Sequence, residues 1–259
     1  MMIVNSKIGK KKRERKTFVS LPAQRYFIGD SQITGHGVGS LTVNNWTAFN
    51  TMYMTLGLGV TPTNSDYGQG GRGLAGHRTA HEGVWGASGA TRTTPEWVHW
   101  VETGGQDEAG QTSATEFGTT LESYMRWIAS RSSNVIISTE TQFSFGREAE
   151  FQRNWWPYLD KLREVQGILA DDGIELRIVE NNAYILALQN RLGPENVWYP
   201  SSDVGHAYHF KDVGNVMTGM GMLHEFGHNV EAVNFDSIIA QGYVTAAQID
   251  ACFLALDEV

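Results

Sequence analysis

The sequence predicts an α/β protein built on a parallel, doubly wound sheet, and two features lead there. From Thr115 to Leu192, short apolar runs alternate with longer amphipathic helical patterns. Strands that alternate with helices pair in parallel through right-handed crossovers. Near the start, Tyr26-Phe27-Ile28 runs into Gly29-Asp30-Ser31 and then Gln32-Ile33-Thr34-Gly35, which reads as a buried strand ending in a tight turn. That turn would present Ser31 at the strand's C-terminal edge, where open α/β sheets bind ligands. A serine there is a candidate nucleophile if a base and an oxyanion site lie elsewhere in the chain. Gly-Asp-Ser is also ordinary turn composition, so the partners decide.

The 259 residues are 41% apolar and 19% charged, with 29 glycines and 6 prolines, the profile of a globular chain rich in turns. No internal repeat or clear linker divides it. The organisation expected is a basic, flexible leader over residues 1–20, a main domain over 21–234 and a helical extension over 235–259. The net charge of −8 gives the body no general basic surface for nucleic acid. A single cysteine, Cys252, excludes an internal disulfide framework. No run of about 18 apolar residues marks a membrane span, and Met1–Val4 is too short for the apolar core of a signal peptide. The sequence does not assign a compartment.

In chain order, Lys10, Lys11, Lys12, Arg13, Arg15 and Lys16 are opposed only by Glu14. This is either an arm for an anionic partner or a solvated leader. The first strand is expected at about Gln24 to Ile28. Asn44 and Asn45 read as helix caps before Trp46, Phe49, Met52, Tyr53 and Leu56 at helical spacing. Tyr67-Gly68-Gln69-Gly70-Gly71-Arg72-Gly73 allows close backbone approach to a ligand, but it lacks the spacing of a phosphate or dinucleotide loop. Leu74 to Thr115 reads as irregular, with His77, His81, His99, Trp85, Trp97 and Trp100 either shaping a pocket or packing a loop. Phe117, Leu121, Tyr124, Met125 and Ile128 then lie on one helical face, and Asn134 to Ser138 is a short strand with its exit loop at Thr139 to Phe145. Phe151 to Leu169 is a long amphipathic helix closed by Asp171-Asp172-Gly173. Ile174–Val179 reads as a strand, Ala183–Leu192 as a helix, and Glu195–Tyr199 as the last strand. Helices from about Lys211 and over Thr245–Leu256 complete the chain.

Between the last expected strand and the next helix, Asp203-x-x-His206 brings a carboxylate and an imidazole close together. The carboxylate can hold the imidazole's tautomer and stabilise its protonated form, as a base for a serine requires. Together these parts resemble the SGNH (GDSL-like) hydrolases over roughly Gln24 to Asn234: the Gly29-Asp30-Ser31 strand end, the glycines at Gly70-Gly71, a third-strand exit loop, and Asp203-x-x-His206 before a helix with Gly214 and Met217. The resemblance implies a three-layer α/β/α flavodoxin-like sandwich. It implies an esterase or carbohydrate deacetylase that needs no cofactor, with a small-molecule or carbohydrate ester as substrate. Ser31 would be the nucleophile, His206 the base and Asp203 its orienting carboxylate. Gly71 and the Gln142 side chain would join the Ser31 N–H at the oxyanion. The family's third motif is usually Gly-x-Asn-Asp, whereas here Glu140-Thr141-Gln142-Phe143 stands in its place. His209-Phe210 also precedes Gly214 at a family-like spacing, which makes His209 the alternate base; His206 is preferred.

A rival signal lies further on. His224-Glu225-Phe226-Gly227-His228 is His-Glu-x-x-His, which on a helix sets two imidazoles one turn apart to bind zinc while the glutamate acts on bound water. It resembles the active helix of zinc metallopeptidases. The Gly-x-x-His continuation is absent and Glu231 is poorly placed as a third ligand, which leaves Glu258 as a distant candidate. The plain alternative is that the three residues decorate the exposed face of a packed helix.

Overall fold

A computed structural model describes residues 24–28, 63–66, 73–83, 97–104, 112–130, 135–140, 148–199, 209–225, 227–233 and 235–259. Five strands make one sheet: β1 (Gln24–Ile28), β2 (Thr63–Asp66), β3 (Trp97–Gly104), β4 (Val135–Glu140) and β5 (Leu176–Glu180). Their order is β2-β1-β3-β4-β5 and every pair is parallel. The chain therefore reverses its direction of travel across the sheet between β1 and β3, which makes a switch point there.

β1 falls on the residues expected for it. β3 corrects the expectation of an irregular stretch from Leu74 to Thr115. It is the central strand, with His99 opposite Tyr26 on one side and Val135 on the other. Its run of tryptophan, valine and histidine shows no apolar/polar alternation, so pairing from both sides fixes it rather than local pattern. Leu74–His81 in the same stretch is a helix, α1, with Leu74, His77 and His81 buried. β2 is polar throughout, Thr-Asn-Ser-Asp, as an edge strand can be, and the sequence reading missed it. β4 continues through Thr139 and Glu140, two residues beyond the end that the sequence predicts at Ser138.

Four long helices, at 114–129, 148–171, 181–192 and 246–256, form where the apolar spacing placed them, while the helix expected over Trp46–Leu56 lies outside the described residues. α2 (Ala114–Ala129) opens on a capping box, with the Ser113 hydroxyl accepting from the Glu116 N–H at 3.2 Å and the Glu116 carboxylate accepting from the Ser113 N–H at 3.1 Å. Its buried face is Phe117, Leu121, Tyr124, Met125 and Ile128. α3 (Glu148–Asp171) ends at Gly173, whose φ of +75° is left-handed. The Gly173 and Ile174 N–H groups donate back to the Ala170 and Leu169 carbonyls, both at 2.9 Å, the paired cap that stops a helix.

β5 passes without a loop into α4 (Asn181–Leu192). The last strand expected over Glu195–Tyr199 is not one. Gly193 leaves α4 at φ +83°, and Pro194 then occupies the first turn of a one-turn helix, α5 (Pro194–Val197), where its missing N–H costs nothing. Trp198 makes an isolated antiparallel bridge to Phe210. α6 (Asp212–Glu225) is buried on every side from Val213 to Leu223, because α4, β5 and the later α8 (Ala246–Leu256) all pack on it. A short 3-10 turn (Val230–Ala232) and α7 (Asp236–Ala240) connect α6 to α8.

The helical contacts fall into two sets. α2 packs on α3 and α1, while α4, α6 and α8 pack on one another. β4 is touched by α2 and α4, and β5 by α3 and α6, so a helix from each set reaches each of these strands, as a parallel sheet requires. Cys252 of α8 is wholly buried in the second set, and burial raises its thiol pKa far above the ordinary value. Among the described residues no helix is long and apolar enough to cross a membrane.

Two glycines on these helices should respond oppositely to alanine. A Cβ on Gly221 of α6 would stand 2.6 Å from the fully buried Tyr184 ring, whereas one on Gly167 of α3 meets nothing within 4 Å. Gly221→Ala should lower stability in urea unfolding by about 1–3 kcal/mol, and Gly167→Ala should raise it by about 0.5–1 kcal/mol. Equal effects at the two sites would contradict the close α4–α6 approach.

Candidate active site

Parallel pairing puts the C-terminal ends of all five strands on one rim, at Ile28, Asp66, Gly104, Glu140 and Glu180. Three of the candidate residues follow these ends closely in the chain. Ser31 comes three residues after β1, Gly71 five after β2 and Gln142 two after β4. Ser31, Gly71, Gln142, Asp203 and His206 themselves lie outside the described residues.

His209 is the one member of the candidate set that is described, and it is partly buried. Its carbonyl accepts from the Tyr199 N–H at 3.0 Å, and one step further the Lys211 N–H donates to the Val197 carbonyl at 2.8 Å. These bonds flank the Trp198–Phe210 bridge. The two bridge rings are buried and lie 4.1 Å apart between centroids, tilted by 42°. Tyr199 and His209, which flank the stretch that carries Asp203 and His206 in the chain, are therefore held in register with each other. The sequence reading did not recognise this junction. Its only signals were the two aromatic residues and Gly214, four residues after Phe210.

His77 and His81 belong to the core rather than to a pocket wall. His81 is fully buried, its Nδ1 sits 2.8 Å from the Tyr124 hydroxyl, and Trp127 meets its ring edge-on at a centroid distance of 5.1 Å. Burial lowers its pKa from 6.5 to about 3, because the charged form would lose its hydration. Trp97, His99 and Trp100 lie on β3, and Trp85 is outside the described residues.

The His224/His228 zinc pair is not formed as the motif requires. α6 stops at Glu225, and Gly227 is left-handed at φ +74°. Its N–H donates to the His224 carbonyl at 2.9 Å and the His228 N–H to the Leu223 carbonyl at 3.1 Å, again the paired cap that ends a helix. His228 thus stands beyond the helix, and the two imidazoles are not one turn apart on a common face. His224 and Glu225 are engaged instead by Tyr184 of α4, whose hydroxyl lies 3.1 Å from His224 Nδ1 and donates to the Glu225 carboxylate. Among the described residues no group of three or more His, Cys, Asp or Glu side chains is placed to hold a metal ion.

A groove of about 650 Å³ runs beside β5, with Arg163 and Gln166 of α3, Glu175, Arg177 and Glu225 among its lining. Gln166 Nε2 donates to the Leu176 carbonyl at 2.8 Å there, covering part of the sheet's open edge. This groove flanks the sheet on the side of β5 and α3.

No protein-family description matches the sequence, and neither does any curated protein. Solved structures do match, and they define the class of fold: the α/β arrangement found in G-D-S-L lipolytic proteins and acetylxylan esterases. One is a member of the lipolytic protein G-D-S-L family from Veillonella parvula, 16% identical, with a TM-score of 0.60 over 78% of this chain and 97% of that one. Another is an acetylxylan esterase from Geobacillus stearothermophilus, 14% identical, with a TM-score of 0.63 over 83% and 98%. A third is an alpha/beta hydrolase enzyme from the metagenome of Lake Arreo, 14% identical, with a TM-score of 0.59 over 83% and 98%. The likeness is one of fold.

The buried imidazole of His81 has a consequence for stability. Its folded pKa lies below its unfolded one, so the unfolded chain takes up the proton first. The contribution is complete above pH 6.5 and lost as pH falls toward 3, at about 1.4 kcal/mol per pH unit. His81→Gln, which does not titrate there, should flatten the urea-unfolding stability profile between pH 6 and 4. An unchanged slope would refute this assignment.

Proposed function

We propose that this chain is a serine ester hydrolase on a three-layer α/β/α flavodoxin-like sandwich spanning residues 21–234. Its substrate is a small acyl ester of a carbohydrate or similar alcohol. The observation that supports this most is the parallel sheet in the order β2-β1-β3-β4-β5, whose switch point lies beside β1, the strand that Ser31 follows by three residues in the chain. The structures of the acetylxylan esterase include catalytic mutants at a serine, at an aspartate and at a histidine three positions beyond that aspartate. Asp203 and His206 repeat that spacing, which favours His206 over His209 as the base.

In this reading His206 takes the proton from the Ser31 hydroxyl as Oγ attacks the acyl carbon. Asp203 holds the imidazole and stabilises it once protonated. The oxyanion is met by the N–H groups of Ser31 and Gly71 and by the Gln142 amide. Collapse breaks the ester C–O bond, and His206 returns its proton to the departing alcohol. Water, deprotonated by the same imidazole, then releases the acid and restores the serine. No step draws on His224, Glu225 or His228, whose helical pairing is interrupted by the cap at Gly227.

Ser31→Ala should reduce hydrolysis of p-nitrophenyl acetate by at least about a thousandfold while leaving the circular dichroism spectrum and melting midpoint in place. The unaltered chain should be labelled at Ser31 by an organophosphonate. A chelator should leave the esterase rate unchanged. Turnover that survives Ser31→Ala, or peptidase activity lost on chelation and restored by zinc, would overturn the reading.

A further inference from the structure

We infer that the Trp198–Phe210 ring pair, seated over Gly214, is the positioning device for the general base. This rests on the serine-hydrolase reading and names a part of that site which neither the resemblance nor the motifs assign. The stretch carrying Asp203 and His206 is joined to the fold at Tyr199 and His209, and the structure fixes both junctions in register. The Tyr199 N–H bonds the His209 carbonyl at 3.0 Å, and the Lys211 N–H bonds the Val197 carbonyl at 2.8 Å. Lys211 adds a side-chain bond, its Nζ donating to the Glu195 carbonyl at 2.6 Å. Between these bonds the Trp198 and Phe210 rings lie together at 4.1 Å, exposed by 0% and 1%. Among the described residues the buried Trp198 indole N–H meets no acceptor, so the contribution to the junction is ring volume rather than a hydrogen bond.

Gly214 makes the arrangement possible. A Cβ at that position would stand 2.9 Å from both Cβ and Cδ1 of Phe210, too close for the ring to remain where it is. Phe210 can lie against Trp198 because the first turn of α6 has no side chain there. An error of about 1 Å in the base relative to the serine is enough to cost about a hundredfold in rate. A rigid, buried junction at the root of the loop limits such errors.

The test compares Trp198→Phe, Trp198→Leu and Gly214→Ala in the full chain with p-nitrophenyl acetate, alongside Ser31→Ala. Active sites are counted by organophosphonate labelling carried to completion, so that kcat refers to intact sites and unfolded material does not enter. Trp198→Phe, which keeps an aromatic face against Phe210 while losing the indole N–H and part of the ring volume, should lower kcat per site by no more than about threefold. Trp198→Leu and Gly214→Ala should each lower kcat per site by about 10- to 100-fold with KM within about twofold. Should Trp198→Leu not fold, Gly214→Ala alone decides, since it moves Phe210 and leaves Trp198 unchanged. Unchanged kcat per site, or a rise in KM at constant kcat, would overturn the inference. Hydrolysis that persists in Ser31→Ala would instead remove the serine reading itself, so the two failures are separable.

Discussion

Parallel pairing is the constraint on which the rest depends. Each strand pair is parallel, so every strand must be followed by a crossover before the next can begin. Among the described residues the crossovers from β2 to β5 run through α1, α2 and α3, and helices cover a parallel sheet because both of its faces are apolar. The same arrangement sends every strand's C-terminal end to one rim. Residues as far apart in sequence as Ser31, Gly71 and Gln142 can then be gathered there with little tertiary invention.

The second half of the molecule is held by close approach rather than by the sheet. α6 is buried on all sides over Val213–Leu223, and that is possible only because its small residues admit neighbouring rings. Gly221 lets Tyr184 cross the helix, and Gly214 lets Phe210 lie at its first turn. Tyr184 then reaches His224 and Glu225 at the far end. One helix thus joins the junction around residues 198–210 to the α4 surface, and α8 closes the remaining side.

Much of this was legible in the sequence where burial imposes a period. α2, α3, α4 and α8 announced themselves through apolar spacing, caps and a terminal glycine, and β1 through a compact apolar run before a turn. β3 was not legible, because a central strand is specified by its neighbours and its Trp-Val-His-Trp pattern mimics a loop rich in aromatics. β2 is a polar edge strand and gave no apolar signal. Glu195–Tyr199 had strand-like composition, but Pro194 and the positive φ of Gly193 direct it into a helical turn. The His-Glu-x-x-His signature shows the opposite failure. The residue types were correct, and the left-handed glycine between them removed the geometry that gives the pattern its meaning. Of the candidate site, the strand end that leads to Ser31 was legible and that of β4 was placed two residues short, while the end of β2 before Gly71 and the aromatic junction at Trp198 and Phe210 were not, since each depends on partners distant in sequence.

The solitary thiol of Cys252 offers a use unrelated to chemistry at the rim. It is wholly enclosed and held in its protonated form by that enclosure, while alkylating reagents attack only the ionised sulfur. In the native protein it should therefore be silent toward such reagents, and its modification would record how often the terminal helix detaches from the body. A cysteine introduced anywhere on the surface could be tagged selectively without first deleting the natural one.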